Sequence, residues 1–254
     1  MTLPVAPSLR LDGKRALIAG ASSGLGLAAA VAVARAGADT VIAARRAAEL
    51  TALADALTAE GCRVTPLVLD ISDLTATGAA VEEHGPFDVL VNSAGTARHG
   101  PALQTSPEDF DAVMALNLRG AYFLTQAVAK GLVVAGRPGS LINISSQMGV
   151  IGGQERAAYC ASKHAVEGFT KAFAIELGPH NIRVNTICPT FIKTPLSAVT
   201  LDRPDMREWV LGKIKLDRVG ELEDIMGPVV YLASDASALI TGTSHLVDGG
   251  WTAG

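Results

Sequence analysis

The sequence predicts a doubly wound α/β fold: a parallel sheet of about seven strands with helices on both faces. Short apolar runs alternate with longer amphipathic segments along the chain. Most of the short runs are continuously apolar, which is typical of parallel strands that are buried on both faces. Because strands and helices alternate, each helix is expected to connect two parallel strands.

The strands are predicted from apolar runs that end in polar or glycine-containing turns. In RALIAG and FDVLVNSA, for example, apolar residues dominate until a glycine or a polar residue closes the run. The predicted strands are, in chain order, 15–20, 39–45, 64–70, 87–94, 140–146, 183–189 and 244–250.

The helices are predicted from the amphipathic segments between these runs. Their ranges are 24–36, 46–60, 73–84, 106–135, 155–178 and 221–234. Segment 190–215 contains prolines and mixed polarity, and it follows the sixth strand; an insertion there predicts a lid over a binding site. No linker-like tract divides the chain, so residues 1–254 are expected to form one domain.

The composition indicates a compact protein without a nucleic-acid or membrane partner. Hydrophobic residues make up 49% and charged residues 18% of the 254 residues. The net charge of −4 gives no basic field for nucleic acid. No apolar run reaches the roughly 18 residues of a membrane span. The N-terminal segment lacks the apolar region of a signal peptide, so we expect a cytoplasmic protein.

The cysteines and histidines predict neither a disulfide framework nor a metal site. The cysteines are Cys62, Cys160 and Cys188, an odd number without pairing spacing. No cluster of histidines and cysteines is evident, and His84, His99, His180 and His245 show no ligand spacing.

A glycine-rich turn, AGASSGLGLA, follows the first predicted strand. Gly20, Gly24 and Gly26 have G-x-x-x-G-x-G spacing. Residues without a Cβ permit a tight turn and a close approach of backbone to phosphate. The following helix presents free N–H groups and the positive end of its dipole to an anion. The turn therefore predicts a phosphate site, with tight helix–strand packing as the alternative.

The end of the second predicted strand carries two arginines instead of an acid. An acidic residue there usually holds the free adenosine ribose of NAD, whereas arginine suits the 2′-phosphate of NADP. Arg45 and Arg46 follow Ala44 at this point. We therefore favour NADP over NAD, although a solvated start to a helix would look the same.

A tyrosine, a lysine and a serine form the candidate catalytic set. Tyr159 and Lys163 are four residues apart and share one face of a predicted helix. A nearby ammonium favours the phenolate and is expected to lower the tyrosine pKa. Ser146, at the end of the fifth strand, is placed to hydrogen-bond a substrate oxygen.

With these motifs the sequence resembles the short, single-domain type of the short-chain dehydrogenase/reductase family, from about residue 11 to the C-terminus. The glycine turn, NSAG, NLRG, the separation of 13 residues between Ser146 and Tyr159, NIRVNTICP, ITG and VDGG occur in the family's order. The resemblance implies a Rossmann-type fold and an NAD(P)-dependent dehydrogenase or reductase acting on CH–OH or C=O.

The resemblance also implies the roles of individual residues. Tyr159 would be the proton donor or acceptor, Lys163 would bind the nicotinamide ribose, and Asn117 would hold a water beside Lys163. Ser146 would position the substrate oxygen. The residues expected to contact the cofactor are Gly20, Ser22, Ser23, Gly24, Leu25, Gly26, Arg45, Arg46, Asp70, Ile71, Asn92, Ala94, Gly95, Tyr159, Lys163, Pro189, Ile192 and Thr194.

Three positions differ from the family pattern. Ala19 stands in place of a threonine and Ser93 in place of an asparagine, which affects local hydrogen bonds. Thr190 replaces a glycine and adds a Cβ beside the expected nicotinamide position.

The substrate is expected to be polar. Ser146, Gln147, Gln154 and Tyr159 are the predicted substrate contacts, and a sugar, a polyol or a 3-oxoacyl compound would all fit. A catalytically silent dinucleotide-binding scaffold is the alternative function. A sugar-nucleotide epimerase or dehydratase is less compatible with the chain length and glycine spacing. The family resemblance implies a homotetramer built on helices 106–135 and 155–178, although an apolar helix pair could equally be core.

Overall fold

Seven parallel strands form one sheet in the order β3-β2-β1-β4-β5-β6-β7. The structure is a computed structural model that describes residues 1–254. The strands are β1 Arg15–Ala19, β2 Asp39–Ala44, β3 Arg63–Val68, β4 Val89–Asn92, β5 Gly139–Ile144, β6 Ile182–Pro189 and β7 Ser244–Val247. The sheet confirms the predicted fold class, and each observed strand matches one predicted run.

Helices connect the strands and cover both faces of the sheet. They are α1 Gly24–Arg35, α2 Ala47–Ala59, α3 Leu74–His84, α4 Pro107–Met114, α5 Ala121–Ala135, α6 Ala157–Leu177, α7 Pro195–Leu201, α8 Pro204–Lys213 and α9 Glu223–Ala233. Short 3₁₀ turns occur at Ala102–Gln104, Gln147–Gly149, Gly178–His180, Asp235–Ser237 and Trp251–Ala253.

The strand β1 shows why its sequence is continuously apolar. Ala16 and Ile18 pack into the core on one face, where α1 and α9 lie. Leu17 and Ala19 pack into the core on the other face, with residues of α3 and α5. All four side chains are buried, as a strand between two helical layers requires.

The strand β3 differs from this pattern because it lies at the edge of the sheet. Its residues are exposed or half-buried, and the side chain of Val68 is largely exposed. Pro66 is tolerated inside the strand because an edge strand has one row of unpaired N–H groups.

The predicted helix over 106–135 is not continuous. A π-helical turn, Ala115–Gly120, separates α4 from α5. π-helical insertions often occur at functional sites, and this one carries Asn117. In segment 190–215, α7 begins with a capping box between Thr194 and Ser197, so this segment is helical over much of its length.

Gly26 sets the position of α1 against the sheet. A Cβ at Gly26 would overlap the carbonyl oxygen of Gly20, and a Cβ at Gly20 would lie 2.7 Å from the backbone nitrogen of Ala94. Gly20 also has φ +80°, a left-handed conformation that favours glycine. The turn therefore joins β1, α1 and the loop after β4 at backbone contact.

Gly26→Ala should lower the free energy of unfolding by about 2 kcal/mol or more, because the backbone of Gly20 must move to admit a methyl group. Gly78→Ala is the matched control, since Gly78 lies in α3 with open space around its Cα. It should leave stability unchanged or raise it by up to about 1 kcal/mol. Urea denaturation of both variants measures the difference, and equal stability would contradict this account of the turn.

Candidate active site

The carboxyl ends of the parallel strands meet in a cleft at one edge of the sheet. β1 lies between β2 and β4, so the chain order reverses there, which is where open α/β sheets bind ligands. A cavity of about 330 Å³ lies along the glycine turn and the end of β2. A second cavity, of about 110 Å³, lies against it toward α7. Tyr159 lines both cavities, so it stands where they meet.

The larger cavity has the features of a dinucleotide site. Gly20, Ser22, Ser23, Gly24 and Leu25 line it. Ser23 precedes α1 and makes no side-chain capping bond, so N–H groups of the first turn have no such partner. A Cβ at Gly20 would overlap the backbone of Ser93 and Ala94, so the turn lies directly against the loop after β4. These residues fit a pyrophosphate group.

Arg45 and Arg46 line the same cavity at the end of β2. Arg46 donates to the Ser22 hydroxyl at 2.9 Å and to the Ser23 hydroxyl at 2.8 Å, so its guanidinium lies over the glycine turn. Arg45 is exposed, and its Nη1 lies 3.8 Å from Asp70 Oδ2. Hydrogen bonds from Ser72, together with Arg45, lower the pKa of Asp70.

Most of the other predicted cofactor residues also face the cleft. Those lining it are Asp70, Ile71, Ala94, Gly95, Tyr159, Lys163, Pro189, Ile192 and Thr194. Gly26 and Asn92 lie behind the surface. The Asn92 amide donates to Asn143 at 3.2 Å and accepts from the backbone of Ala94 at 3.2 Å, so it supports the NSAG loop.

Lys163 places an ammonium inside the protein. Its side chain projects from α6, its residue is 6% exposed, and its Nζ donates to the carbonyl of Ile144 at the end of β5 at 2.9 Å. The Nζ lies 5.7 Å from the centre of the Tyr159 ring. Burial lowers the pKa of Lys163 to about 8.

Tyr159 differs from the expectation of a lowered pKa. Burial raises its pKa above the ordinary value, and hydrogen bonding from Ser146 and the charge of Arg156 only oppose that rise. The reason is that desolvation penalises the phenolate more than the surrounding charges favour it. In the protein alone, Tyr159 is therefore a protonated donor at neutral pH.

Asn117 is fixed by the π-helical turn and is almost fully buried. Its side-chain oxygen accepts from the Thr96 N–H at 2.8 Å, and its amide donates to the Thr96 carbonyl at 2.9 Å. The amide also lies 3.2 Å from the hydroxyl of Ser162, next to Lys163. Asn117 thus ties the loop after β4 to α6.

The predicted substrate contacts do not all reach the cleft. Ser146 and Gln147 line the smaller cavity with Tyr159. Gln154 is exposed and is not among the lining residues of either cavity. It lies in the loop before α6, where Arg156 instead turns inward and is buried.

Several lining residues were not among the predicted site residues. On the cofactor side they are Ala44, Leu69, Ser93, Thr96, Leu116, Ile144, Ser145, Pro195 and Leu196. On the smaller side they include Ala97, His99, Met148, Arg156, Thr190, Phe191, Ser197 and Thr200. The sequence could have identified Arg156 as a lining residue, because it precedes Tyr159 by three residues and residues at this spacing share a helix face. His99 follows the NSAG motif in a loop expected on the active-site side, where a substrate contact and a solvated loop were both compatible with the sequence; the fold brings its ring to Tyr159.

Comparison with known proteins identifies the family. The family model described as enoyl-(acyl carrier protein) reductase matches residues 20–252. A D-erythrulose reductase from Gallus gallus is 38% identical over 245 residues, 96% of this chain and 98% of that protein. The chain belongs to the short-chain dehydrogenase/reductase family. It is therefore a nicotinamide-dependent oxidoreductase acting on CH–OH or C=O groups.

Other members of the short-chain dehydrogenase/reductase family are equally similar. A 2-dehydro-3-deoxy-D-gluconate 5-dehydrogenase from Dickeya dadantii is 38% identical over 250 residues, 97% of this chain and 98% of that protein. The crystal structure of a gluconate 5-dehydrogenase from Burkholderia cenocepacia, in complex with NADP and tartrate, has a TM-score of 0.93 at 34% identity and covers 97% of this chain and 98% of that chain.

Metal-ligand clusters and membrane-spanning helices are both absent from the structure. No group of three or more His, Cys, Asp or Glu residues could hold a metal ion. None of the helices combines the length and the apolar character that crossing a membrane requires.

Because Lys163 is buried, the free energy of unfolding should change with pH in the alkaline range. Its pKa is about 8 in the folded protein and near 10.5 when unfolded, so between these values only the unfolded chain keeps the proton. The free energy of unfolding of the wild type, relative to Lys163→Met, should therefore rise by about 2 kcal/mol between pH 8 and 10 and stay constant below pH 8.

The matched control is Lys171→Met, which removes an exposed lysine from the same helix. Its stability difference from the wild type should not change over this pH range. Denaturant titrations at each pH measure both differences. A flat profile for Lys163→Met as well would show that the Lys163 pKa is not lowered.

Proposed function

We propose that the protein is an NADP(H)-dependent dehydrogenase/reductase that interconverts a small polyhydroxylated ketone and its secondary alcohol. The observation that carries this proposal is the position of Tyr159, beside Lys163 and Ser146, where the two cavities meet. The larger cavity fits a dinucleotide. The smaller one has room for only a small molecule, since about 110 Å³ compares with roughly 10–15 Å³ for one water.

The relatives support a sugar-like substrate. One is named as a reductase of D-erythrulose and another as a 5-dehydrogenase of 2-dehydro-3-deoxy-D-gluconate. The structural relative binds NADP and tartrate, which is a small, hydroxylated molecule. A 3-oxoacyl compound is less compatible with the smaller cavity, whose walls carry His99, Gln147, Arg156, Thr190 and Thr200.

The proposed mechanism assigns one task to each polar residue. When bound, the nicotinamide cofactor supplies or accepts the hydride at the substrate carbon. Tyr159 donates its hydroxyl proton to the carbonyl oxygen during reduction and takes it back during oxidation. Ser146 holds the same oxygen by a hydrogen bond. Lys163 binds the cofactor ribose and stabilises the tyrosinate after the proton has left.

Asn117 would connect this proton path to solvent. The Asn117 side chain forms hydrogen bonds with the backbone of Thr96 and with the hydroxyl of Ser162. These bonds hold the loop after β4 against the part of α6 that carries Lys163. In this proposal a water held there returns a proton through Lys163 to Tyr159. The other expected roles belong to the same proposal: segment 190–215 as a lid, a homotetramer and a cytoplasmic location.

A preference for NADP rests on Arg45 and Arg46. Both line the larger cavity at the end of β2, and no carboxylate follows β2 at the position that would hold a free ribose. Arg46 is already oriented over the glycine turn by Ser22 and Ser23. The pair therefore supplies fixed positive charge for a 2′-phosphate.

Tyr159→Phe tests the proposed reaction. The assay follows NADPH absorbance with a panel of ketoses, sugar acids, polyols and 3-oxoesters. The variant should lose about 10²- to 10⁴-fold in kcat, because the proton donor is removed, while NADPH binding measured by calorimetry stays similar. Tyr122→Phe, in the aromatic cluster on α5, is the control and should keep its activity. NADPH binding by the wild type without turnover of any substrate in the panel would favour the catalytically silent dinucleotide-binding scaffold.

The double variant Arg45→Ala/Arg46→Ala tests cofactor choice. The ratio of the Kd for NADH to the Kd for NADPH should fall at least about tenfold, since each charge-assisted hydrogen bond contributes about 1.5–3 kcal/mol. Arg35→Ala removes an arginine from the far end of α1 and should leave the ratio unchanged. A wild-type preference for NADH would contradict the assignment.

A further inference from the structure

We propose that Arg156 is a carboxylate-binding residue and that the natural substrate is a sugar acid, bound as its anion, rather than a neutral sugar or polyol. This inference rests on the proposed function and names its substrate class. It concerns the smaller cavity, where Arg156 lies beside His99, Gln147, Thr190 and Thr200.

The first observation is that Arg156 is a buried cation without an anion. The residue is 6% exposed, and no carboxylate lies within ion-pair distance of it. Its neighbour Glu155 is exposed to solvent. A buried charge without a partner is strongly unfavourable, so such residues are normally paired or used for binding.

The protein contacts of Arg156 leave part of its guanidinium free. One terminal nitrogen contacts His99 Nε2, and the other donates to the Thr200 hydroxyl at 3.3 Å. The guanidinium lies 5.3 Å from the centre of the Phe191 ring. Its Nε is buried without any hydrogen-bond partner. A planar fork of N–H donors with free capacity is the group that binds carboxylates most specifically.

Arg183 shows how this fold satisfies a structural arginine. Its guanidinium donates to the carbonyls of Leu232 and Ser234 at 2.9 and 3.1 Å and to the hydroxyl of Ser237 at 2.9 Å. Arg156 has no comparable set of oxygen acceptors. Its position is therefore explained by a ligand better than by a role in holding the fold.

The charges around the smaller cavity are suited to an anion. Its lining contains no Asp or Glu. Burial and the charge of Arg156 lower the pKa of His99 to about 4, so the imidazole is neutral at physiological pH. Neutral His99 accepts from Arg156 and leaves its other ring nitrogen as a donor. One net positive charge in the lining matches the single charge of a carboxylate.

The remaining polar groups of the cavity suit the hydroxyls of a sugar chain. Gln147 is 1% exposed, and neither its side-chain nitrogen nor its oxygen has a partner. The Thr190 hydroxyl is likewise buried without a partner. A carboxylate at Arg156 also lies near the reaction centre, because the His99 ring packs edge-on against Tyr159 at 5.8 Å.

The test compares D-gluconate with D-glucitol as substrates for oxidation with NADP⁺. The wild type should have the higher kcat/KM for the acid. In Arg156→Met the ratio of kcat/KM for gluconate to that for glucitol should fall at least about 30-fold, as expected when a desolvated charge pair is lost. Arg156→Lys should keep part of the preference. Arg207→Met removes an exposed cation from α8 and should leave the ratio unchanged.

Several outcomes would overturn the inference. These are a wild-type preference for glucitol, an equal loss on both substrates in Arg156→Met, or a stronger preference for a sugar phosphate. A protein that turns over neither class with NADP⁺ would instead overturn the proposed function. Calorimetry of gluconate and glucitol binding to Tyr159→Phe, with and without Arg156→Met, gives the same comparison without turnover. Selective loss of gluconate binding is the supporting result.

Discussion

The hydrogen bond from Lys163 to the carbonyl of Ile144 fixes the geometry on which the cleft depends. It spans 2.9 Å and joins α6 to the end of β5. A buried ammonium without this acceptor would be strongly unfavourable, so the bond stabilises the observed position of α6 against the strand. That position places Tyr159 where the two cavities meet. Asn117, on the π-helical turn, lies beside this part of α6, since its amide donates to the hydroxyl of Ser162 at 3.2 Å. The hydrogen bond between Lys163 and Ile144 thus contributes both to the packing of α6 and to the position of Tyr159.

The positively charged residues around the cleft differ in how deeply they are buried. Arg45 and Arg46 are exposed and form ion pairs with Asp70 and Glu49, so solvent and these carboxylates screen their charges. Arg156, at the other end, is buried and has no acid beside it. Its electric field is therefore much less screened by solvent than that of the two exposed arginines. Lys163 lies between these two regions, close to the reacting atoms.

The sequence was sufficient to predict the succession of strands and helices along the chain, the glycine turn and the close approach of Tyr159 and Lys163. Each of these follows from local pattern and spacing. It could not predict what depends on distant parts of the chain. His99 and Arg156 are 57 residues apart and meet only through the fold. The pKa of Tyr159 depends on desolvation, which no spacing reports. The inward turn of Arg156, in place of Gln154, likewise depends on the shape of the cavity beneath it.

Buried polar atoms near the smaller cavity differ from those elsewhere in how completely they are hydrogen-bonded. Behind the cleft, Glu167 is satisfied by the hydroxyls of Thr186 and Ser244 and by the Cys188 thiol. In contrast, five of the eight buried side-chain atoms without a partner belong to lining residues of the smaller cavity, namely Ser145, Gln147, Arg156 and Thr190. The other three atoms belong to Thr77, Asn143 and Thr170, which do not line this cavity. Buried polar groups are normally hydrogen-bonded, so the concentration of unpartnered atoms around the smaller cavity supports the proposal that a hydroxylated anion binds there.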